Sequence, residues 1–184
     1  NLKPGDSVWV RGSFGNTFPV EEMEGSNVLY VAGGLGLAPL RPLINYIFDE
    51  RNRAKYGKIQ ALIAARSTKD FIYKYEFDTW KSKENTELIL TIDRMEEGWK
   101  GRVGFPHNLV VEMDIDYKNT YVVLCGPPIM IKAVSSKLAE LGMPGDKILT
   151  TLEMRMTCGI GKCGKCNIGH KYVCIDGPVF RMSQ

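Results

Sequence analysis

Two kinds of apolar run alternate along most of this chain. Val28-Leu29-Tyr30-Val31-Ala32 is unbroken, as in a strand buried on both faces of a parallel sheet. From Pro39 to Asn52, Leu40, Leu43, Ile44, Ile47 and Phe48 recur at three- and four-residue spacing with charge at the far end, which predicts a helix. The rhythm continues with a strand at Ile59–Ala65, a helix at Asp70–Ser82, a strand at Glu87–Ile92, a helical stretch near His107–Glu112, a strand at Thr120–Leu124, a helix at Ile129–Leu141 and a short strand at Lys147–Thr151. Strands alternating with helices over roughly 125 residues imply a parallel sheet covered on both faces and joined by right-handed crossovers. The expectation is a doubly wound α/β domain over residues 25–150 with a five-stranded parallel nucleotide-binding sheet.

The two ends break the rhythm. Residues 7–11 (Ser-Val-Trp-Val-Arg) alternate and run into Gly12-Ser13-Phe14-Gly15-Asn16, which predicts a strand ending in a glycine-rich turn. Beyond Thr151 the composition shifts to Cys, Gly and Lys, with too few large apolar residues for an ordinary core, so a metal is expected to organise residues 151–184.

Composition narrows the class. With 184 residues, 44% hydrophobic and 24% charged, the chain suits one or two globular domains that fold without staples. Its net charge of +3 is not gathered into basic blocks, so nucleic acid is not indicated. No apolar run approaches the ~18 residues of a membrane span, and no signal pattern follows Asn1, so the reading is cytoplasmic. Asn1 is itself an unusual start, and an upstream segment is expected.

Five cysteines is an odd number, and four of them crowd into the tail, which argues for a metal site over a disulfide framework. Cys158, Cys163, Cys166 and Cys174 are spaced Cys-x4-Cys-x2-Cys-x7-Cys, and the first three reproduce the plant-type run that wraps a [2Fe–2S] cluster. The intervening glycines let the backbone turn tightly and aim N–H groups at sulfur. Lys162 and Lys165 add positive charge beside an anionic cluster. A four-cysteine zinc site is the competing reading, although zinc ribbons pair two Cys-x2-Cys knuckles and this tail has one. His107 and His170 sit in no catalytic spacing.

Gly33-Gly34-Leu35-Gly36-Leu37-Ala38-Pro39 lies between a buried strand and a helix, where phosphates rest on backbone N–H groups and the helix N-terminus. Tight packing is the alternative reason for its glycines, because the run is not G-x-G-x-x-G. Cys125-Gly126-Pro127-Pro128 closes one strand and opens the next helix, so it should share the carboxyl edge of the sheet. Cys125 could equally be a small buried hydrophobe.

The turn at residues 12–16 with Phe18, the Gly33–Pro39 loop and Cys125-Gly126-Pro127, in that order, resemble the ferredoxin-NADP reductase superfamily. With the cysteine tail, the whole chain is similar to the flavin- and cluster-containing electron-transfer subunits of dihydroorotate dehydrogenase, sulfhydrogenase (gamma) and anaerobic sulfite reductase (B), and the seven-residue gap before Cys174 looks closer to the latter two. The resemblance implies an NAD(P)H-dependent oxidoreductase in which a nicotinamide nucleotide gives a hydride to flavin, and single electrons then pass through the cluster to or from a catalytic subunit of a hetero-oligomeric complex. It implies that Gly33, Gly34, Gly36 and Pro39 line the pyrophosphate, that Arg66 and Ser67 meet the ribose or adenine end, with Asp93 a weaker candidate, and that Cys125, the candidate catalytic residue, lies with Gly126 and Pro127 beside the nicotinamide. Arg66 leaves NAD and NADP both open. Gly12, Phe14, Gly15 and Asn16 fall on the flavin-binding motif.

Relatives carry a flavin-binding barrel that ends in such a turn, and residues 1–24 resemble only its last part, with Ser13 where proline is more usual. The chain is therefore expected to be a piece of a longer subunit, with FAD held by the longer form. The competing function is a non-enzymatic nucleotide-binding module with a structural zinc site.

Overall fold

The computed structural model describes residues 2–184; Asn1, on which the expectation of an upstream segment rests, lies outside the described residues. The strands are β1 (Asn27–Gly33), β2 (Ile59–Ala65), β3 (Thr86–Ile92), β4 (Arg102–Val103), β5 (Thr120–Cys125), β6 (Ile148–Thr151), β7 (Asn167–Ile168), β8 (Lys171–Tyr172) and β9 (Val179–Arg181). The helices are α1 (Leu37–Phe48), α2 (Glu50–Arg53), α3 (Lys74–Lys81), α4 (Pro106–Leu109) and α5 (Pro128–Glu140). One sheet runs β4-β3-β2-β1-β5-β6-β9, parallel throughout except for the last pair, and β7-β8 form a separate hairpin.

The five strands that the pattern predicts, β1, β2, β3, β5 and β6, form the parallel body of this sheet. Two more extend it: β4, two residues long, and β9, which comes from the cysteine tail and pairs antiparallel with β6 through Leu149↔Arg181 and Thr151↔Val179. Neither is long enough to show a period. Alternate residues of β1 separate the core into two layers. Val28, Tyr30 and Ala32 face α1 and α3 with Leu40, Ile44 and Trp80, while Leu29 and Val31 face α4 and α5 with Leu109, Val134 and Leu138. Every residue of β2 and β5 is buried, the physical reason that both are apolar apart from Gln60 and Thr120.

Three stretches differ from expectation. The helix predicted over 39–52 starts at Leu37 and stops at Phe48, because Asp49 turns extended (ψ 135°) and its carboxylate accepts from the Arg51 N–H to start α2 afresh. The helix predicted from Asp70 begins at Lys74, after a 3-10 turn at Thr68–Asp70. The strand predicted at 7–11 has no partner among the described residues, and Val8, Trp9 and Val10 stand exposed. No helix among the described residues is long and apolar enough to cross a membrane.

Candidate functional site

The strand order reverses at β1. Chain moving outward from β1 runs to β2, β3 and β4, and chain returning on the other side runs to β5, β6 and β9, so β1 and β5 are neighbours, with Ala32 opposite Cys125. A crevice opens outside the carboxyl ends of strands at such a switch point. Both glycine loops leave from it. A Cβ on Gly36 would lie 2.2 Å from the Cys125 carbonyl oxygen, and one on Gly33 would lie 2.6 Å from the Met130 sulfur, so side chains at either position would force the loops apart. Gly34 is different: its φ is +55° and nothing lies within 4 Å of the missing Cβ, so this glycine turns the backbone toward open space. Packing and ligand approach, the alternatives left by the sequence, therefore fall on different glycines of one loop.

Past that loop, α1 begins with no side-chain cap and no acidic residue in its first turn, and α5 likewise begins uncapped at Pro128. Two helix N-termini thus leave N–H groups available to an anion at one sheet edge. Pro39 lies in the first turn of α1 and Pro127 immediately precedes α5. Cys125 is buried, and its sulfur accepts a hydrogen bond from the Thr151 hydroxyl at 2.8 Å. Burial raises its pKa, with the Thr151 bond opposing, so the group is a neutral thiol at neutral pH. Thr151 gave no sequence signal as a partner; it arrives beside Cys125 because β6 pairs with β5.

Arg66 follows β2 at the same edge, exposed and without a salt bridge among the described residues, and the Ser67 hydroxyl donates to Asp70 at 2.7 Å. The loop after β3, which contains Asp93, folds over this turn: Trp99 stacks on Phe71 at 5.7 Å, and the Glu96 carboxylate accepts from the Thr68 hydroxyl at 2.6 Å.

The tail folds its cysteines toward one another: the Cys163 N–H donates to the Cys158 sulfur, and Cys166 lies close enough to Cys174 to raise its pKa. The N–H groups of Ile160 and Cys163 point at the Cys158 sulfur at 3.5 and 3.4 Å and bring its pKa down to about 6. Burial and the neighbouring Cys166 push Cys174 the other way, although the Gly161 N–H points at its sulfur at 3.3 Å. Among the described residues, no three His, Cys, Asp or Glu side chains meet as ligands of one ion would. N–H groups aimed at the Cys158 and Cys174 sulfurs, in a loop with Cys-x4-Cys-x2-Cys spacing, suit the thiolates of a two-iron core. Cys166 and Cys174 are buried with Val173 and Phe180, and Cys163 is exposed.

Of the four residues that the resemblance places on a flavin, Phe14, Gly15 and Asn16 lie against this tail, while Gly12 is exposed. Asn16 donates its amide to the carbonyls of Asp176 and Val179 at 2.8 and 2.7 Å and accepts from the Val179 N–H at 2.9 Å, so its side chain is fully engaged within the protein. A Cβ on Gly15 would meet the Gly177 carbonyl, and the Phe14 ring covers Gly159.

Geometry of this kind, a switch-point crevice with two glycine loops joined to a four-cysteine tail, defines a nucleotide-binding oxidoreductase domain with an iron–sulfur module. Residues 30–136 match the oxidoreductase NAD-binding domain, and residues 153–184 match the iron-sulfur cluster binding domain of dihydroorotate dehydrogenase B. Sulfhydrogenase 1 subunit gamma of Pyrococcus furiosus is 47% identical over 97% of this chain and 63% of its own length. A probable dihydroorotate dehydrogenase B (NAD(+)) electron transfer subunit of Thermococcus kodakarensis is 35% identical over 97% of this chain and 67% of its own. Among solved structures, the NADH-dependent reduced ferredoxin-NADP oxidoreductase aligns over 99% of this chain and 60% of that one, with a TM-score of 0.67 and 29% identity. The chain belongs to the oxidoreductase NAD-binding family and carries the iron–sulfur domain of its electron-transfer subunits. It spans 63% of the length of the sulfhydrogenase relative. The higher identity to sulfhydrogenase gamma agrees with the branch suggested by the short gap before Cys174.

Proposed function

We propose that the chain is the nucleotide- and cluster-binding part of an electron-transfer subunit, exchanging electrons between a nicotinamide nucleotide and a catalytic partner in a hetero-oligomeric complex. The observation that carries this reading is the meeting of the Gly33–Pro39 and Cys125–Pro127 loops at the β1/β5 switch point, in a chain that also aims backbone N–H groups at the Cys158 and Cys174 sulfurs. Gly34 and the N-termini of α1 and α5 would hold the pyrophosphate, and Arg66 the ribose or adenine end. Cys125, with Gly126 beside it, would contact the nicotinamide as a neutral thiol, shaping the pocket without adding charge next to a departing hydride. Cys158, Cys163, Cys166 and Cys174 would hold the cluster. Flavin would supply the conversion of one two-electron hydride into the two one-electron steps that a [2Fe–2S] centre accepts. Unpaired cysteines and the absence of a spanning helix among the described residues agree with work in the cytoplasm.

The test is an anaerobic absorption and electron paramagnetic resonance spectrum of the chain before and after dithionite, with metal analysis. About two iron atoms per chain and a reducible signal are expected. Colourless protein with zinc would leave a nucleotide-binding module in place of an electron carrier.

A further inference from the structure

The turn that precedes the sheet grips the cysteine loop at three points. Arg11 donates a hydrogen bond from its guanidinium to the Cys158 carbonyl and lies over the Phe14 ring at 5.4 Å from its centre. The Phe14 ring in turn lies so close to Gly159 that a Cβ there would sit 2.6 Å from it. Asn16 makes three side-chain bonds to the turn at Asp176 and to Val179 at the start of β9, beyond the last cysteine. These contacts join residues about 150 positions apart and reach both ends of the ligand set, the carbonyl of the first cysteine and the chain that follows the fourth. The Asn16 amide and the Arg11 fork both act as planar, directional donors, so they define an orientation as well as attachment.

A [2Fe–2S] centre becomes more negative on reduction, and its potential follows the charge and hydrogen bonding around its thiolates. The guanidinium at the first ligand's carbonyl polarises the 158–159 peptide and places a fixed positive charge on that side of the loop. We propose that Arg11, with Phe14 and Asn16, is a clasp that seats the cysteine loop on the nucleotide domain, and that Arg11 is a positioning residue which raises the reduction potential of the centre held there. This rests on the cluster reading above. Loss of the clasp therefore affects the cluster without touching any residue of the β1/β5 crevice.

The experiment is an electron paramagnetic resonance-monitored redox titration of the iron-loaded chain and its Arg11→Gln and Arg11→Lys variants, with iron and acid-labile sulfide measured in each. The R11Q variant should shift the midpoint to more negative potential, and R11K, which keeps the charge without the planar fork, should fall between. Adding salt should narrow the gap, because Arg11 is exposed. An R11Q chain with full iron and the unaltered potential and spectrum overturns the proposal, as does an R11K chain as low as R11Q. Seating is checked separately by the Phe14→Ala and Gly159→Ala cycle: removing the ring should recover part of the cluster lost on adding the methyl, and strictly additive losses overturn the clasp. Zinc in the unaltered chain would instead overturn the cluster reading beneath it, an outcome that the first metal analysis distinguishes.

Discussion

Both the carboxyl edge of the sheet and the cysteine tail depend on glycine, but for different physical reasons. At the sheet edge, Gly33 and Gly36 exist because neighbouring atoms occupy the space that a Cβ would need, and that packing rests on fully buried strands such as β2 and β5. In the tail, Gly161 and Gly164 have φ of +71° and +72°, and Gly164 has nothing within 4 Å of its missing Cβ. Here left-handed glycines let the backbone curl so that the N–H groups of Ile160, Gly161 and Cys163 point at the Cys158 and Cys174 sulfurs, with Phe14 closing on Gly159 from outside the loop. One region is built by its core. The other has a small core, Cys166, Val173, Cys174 and Phe180, half of which is cysteine.

The largest test of that contrast is Cys166→Ser with iron loading. Complete loss of the two-iron signal is expected, together with proteolytic cleavage beyond residue 151, while the α/β sheet keeps its far-ultraviolet circular dichroism; a sheet that melts with the tail would break the comparison. In the opposite direction, Leu62→Ala empties space at a fully buried position of β2 and should cost about 3 kcal/mol by urea denaturation, yet leave iron per folded chain unchanged. Gly36→Ala joins the two loops to the same logic. Its methyl meets backbone, so a loss of about 2 kcal/mol or more is expected with at least a tenfold fall in nucleotide affinity by fluorescence titration. Gly34→Ala meets open space and carries only the left-handed strain of about 1 kcal/mol, so nucleotide affinity should fall by more than stability does. The smallest effect concerns Cys125. Its raised pKa predicts slow alkylation at pH 7, quickening as pH rises above the ordinary thiol range, whereas Cys158 in iron-free protein, with its pKa brought down to about 6, should be alkylated readily at pH 7 by mass spectrometry.

Legibility in the sequence followed the range of the interaction. The boundaries of β2 are those read from Ile59–Ala65, because seven consecutive buried positions leave a run that is apolar except for Gln60, whose amide donates to Glu87. The iron–sulfur domain over residues 153–184 was legible for a similar reason, since the cysteine spacing is a local property of one loop. The strand expected at 7–11 illustrates the limit: alternation is present, but a ladder needs a neighbour, and none pairs with it among the described residues. The assignment of Asn16 to a flavin shows the same limit from the other side. Its motif was visible, while its three bonds to residues 176–179 depended on a segment some 160 positions away.

By itself, then, the sequence determined the alternation of strands and helices, the two glycine loops and the cysteine spacing of the tail, all consequences of patterns local to one stretch of chain. Tertiary structure decided which of these meet. The reversal at β1 brought residues 33–36 against 125–126, the pairing of β5 with β6 set Thr151 on Cys125, and the pairing of β6 with β9 drew the tail back to the sheet and laid residues 11–16 across it. Such contacts are fixed by strand order and crossover hand, which depend on how whole layers cover one another and leave no mark in any short window of sequence.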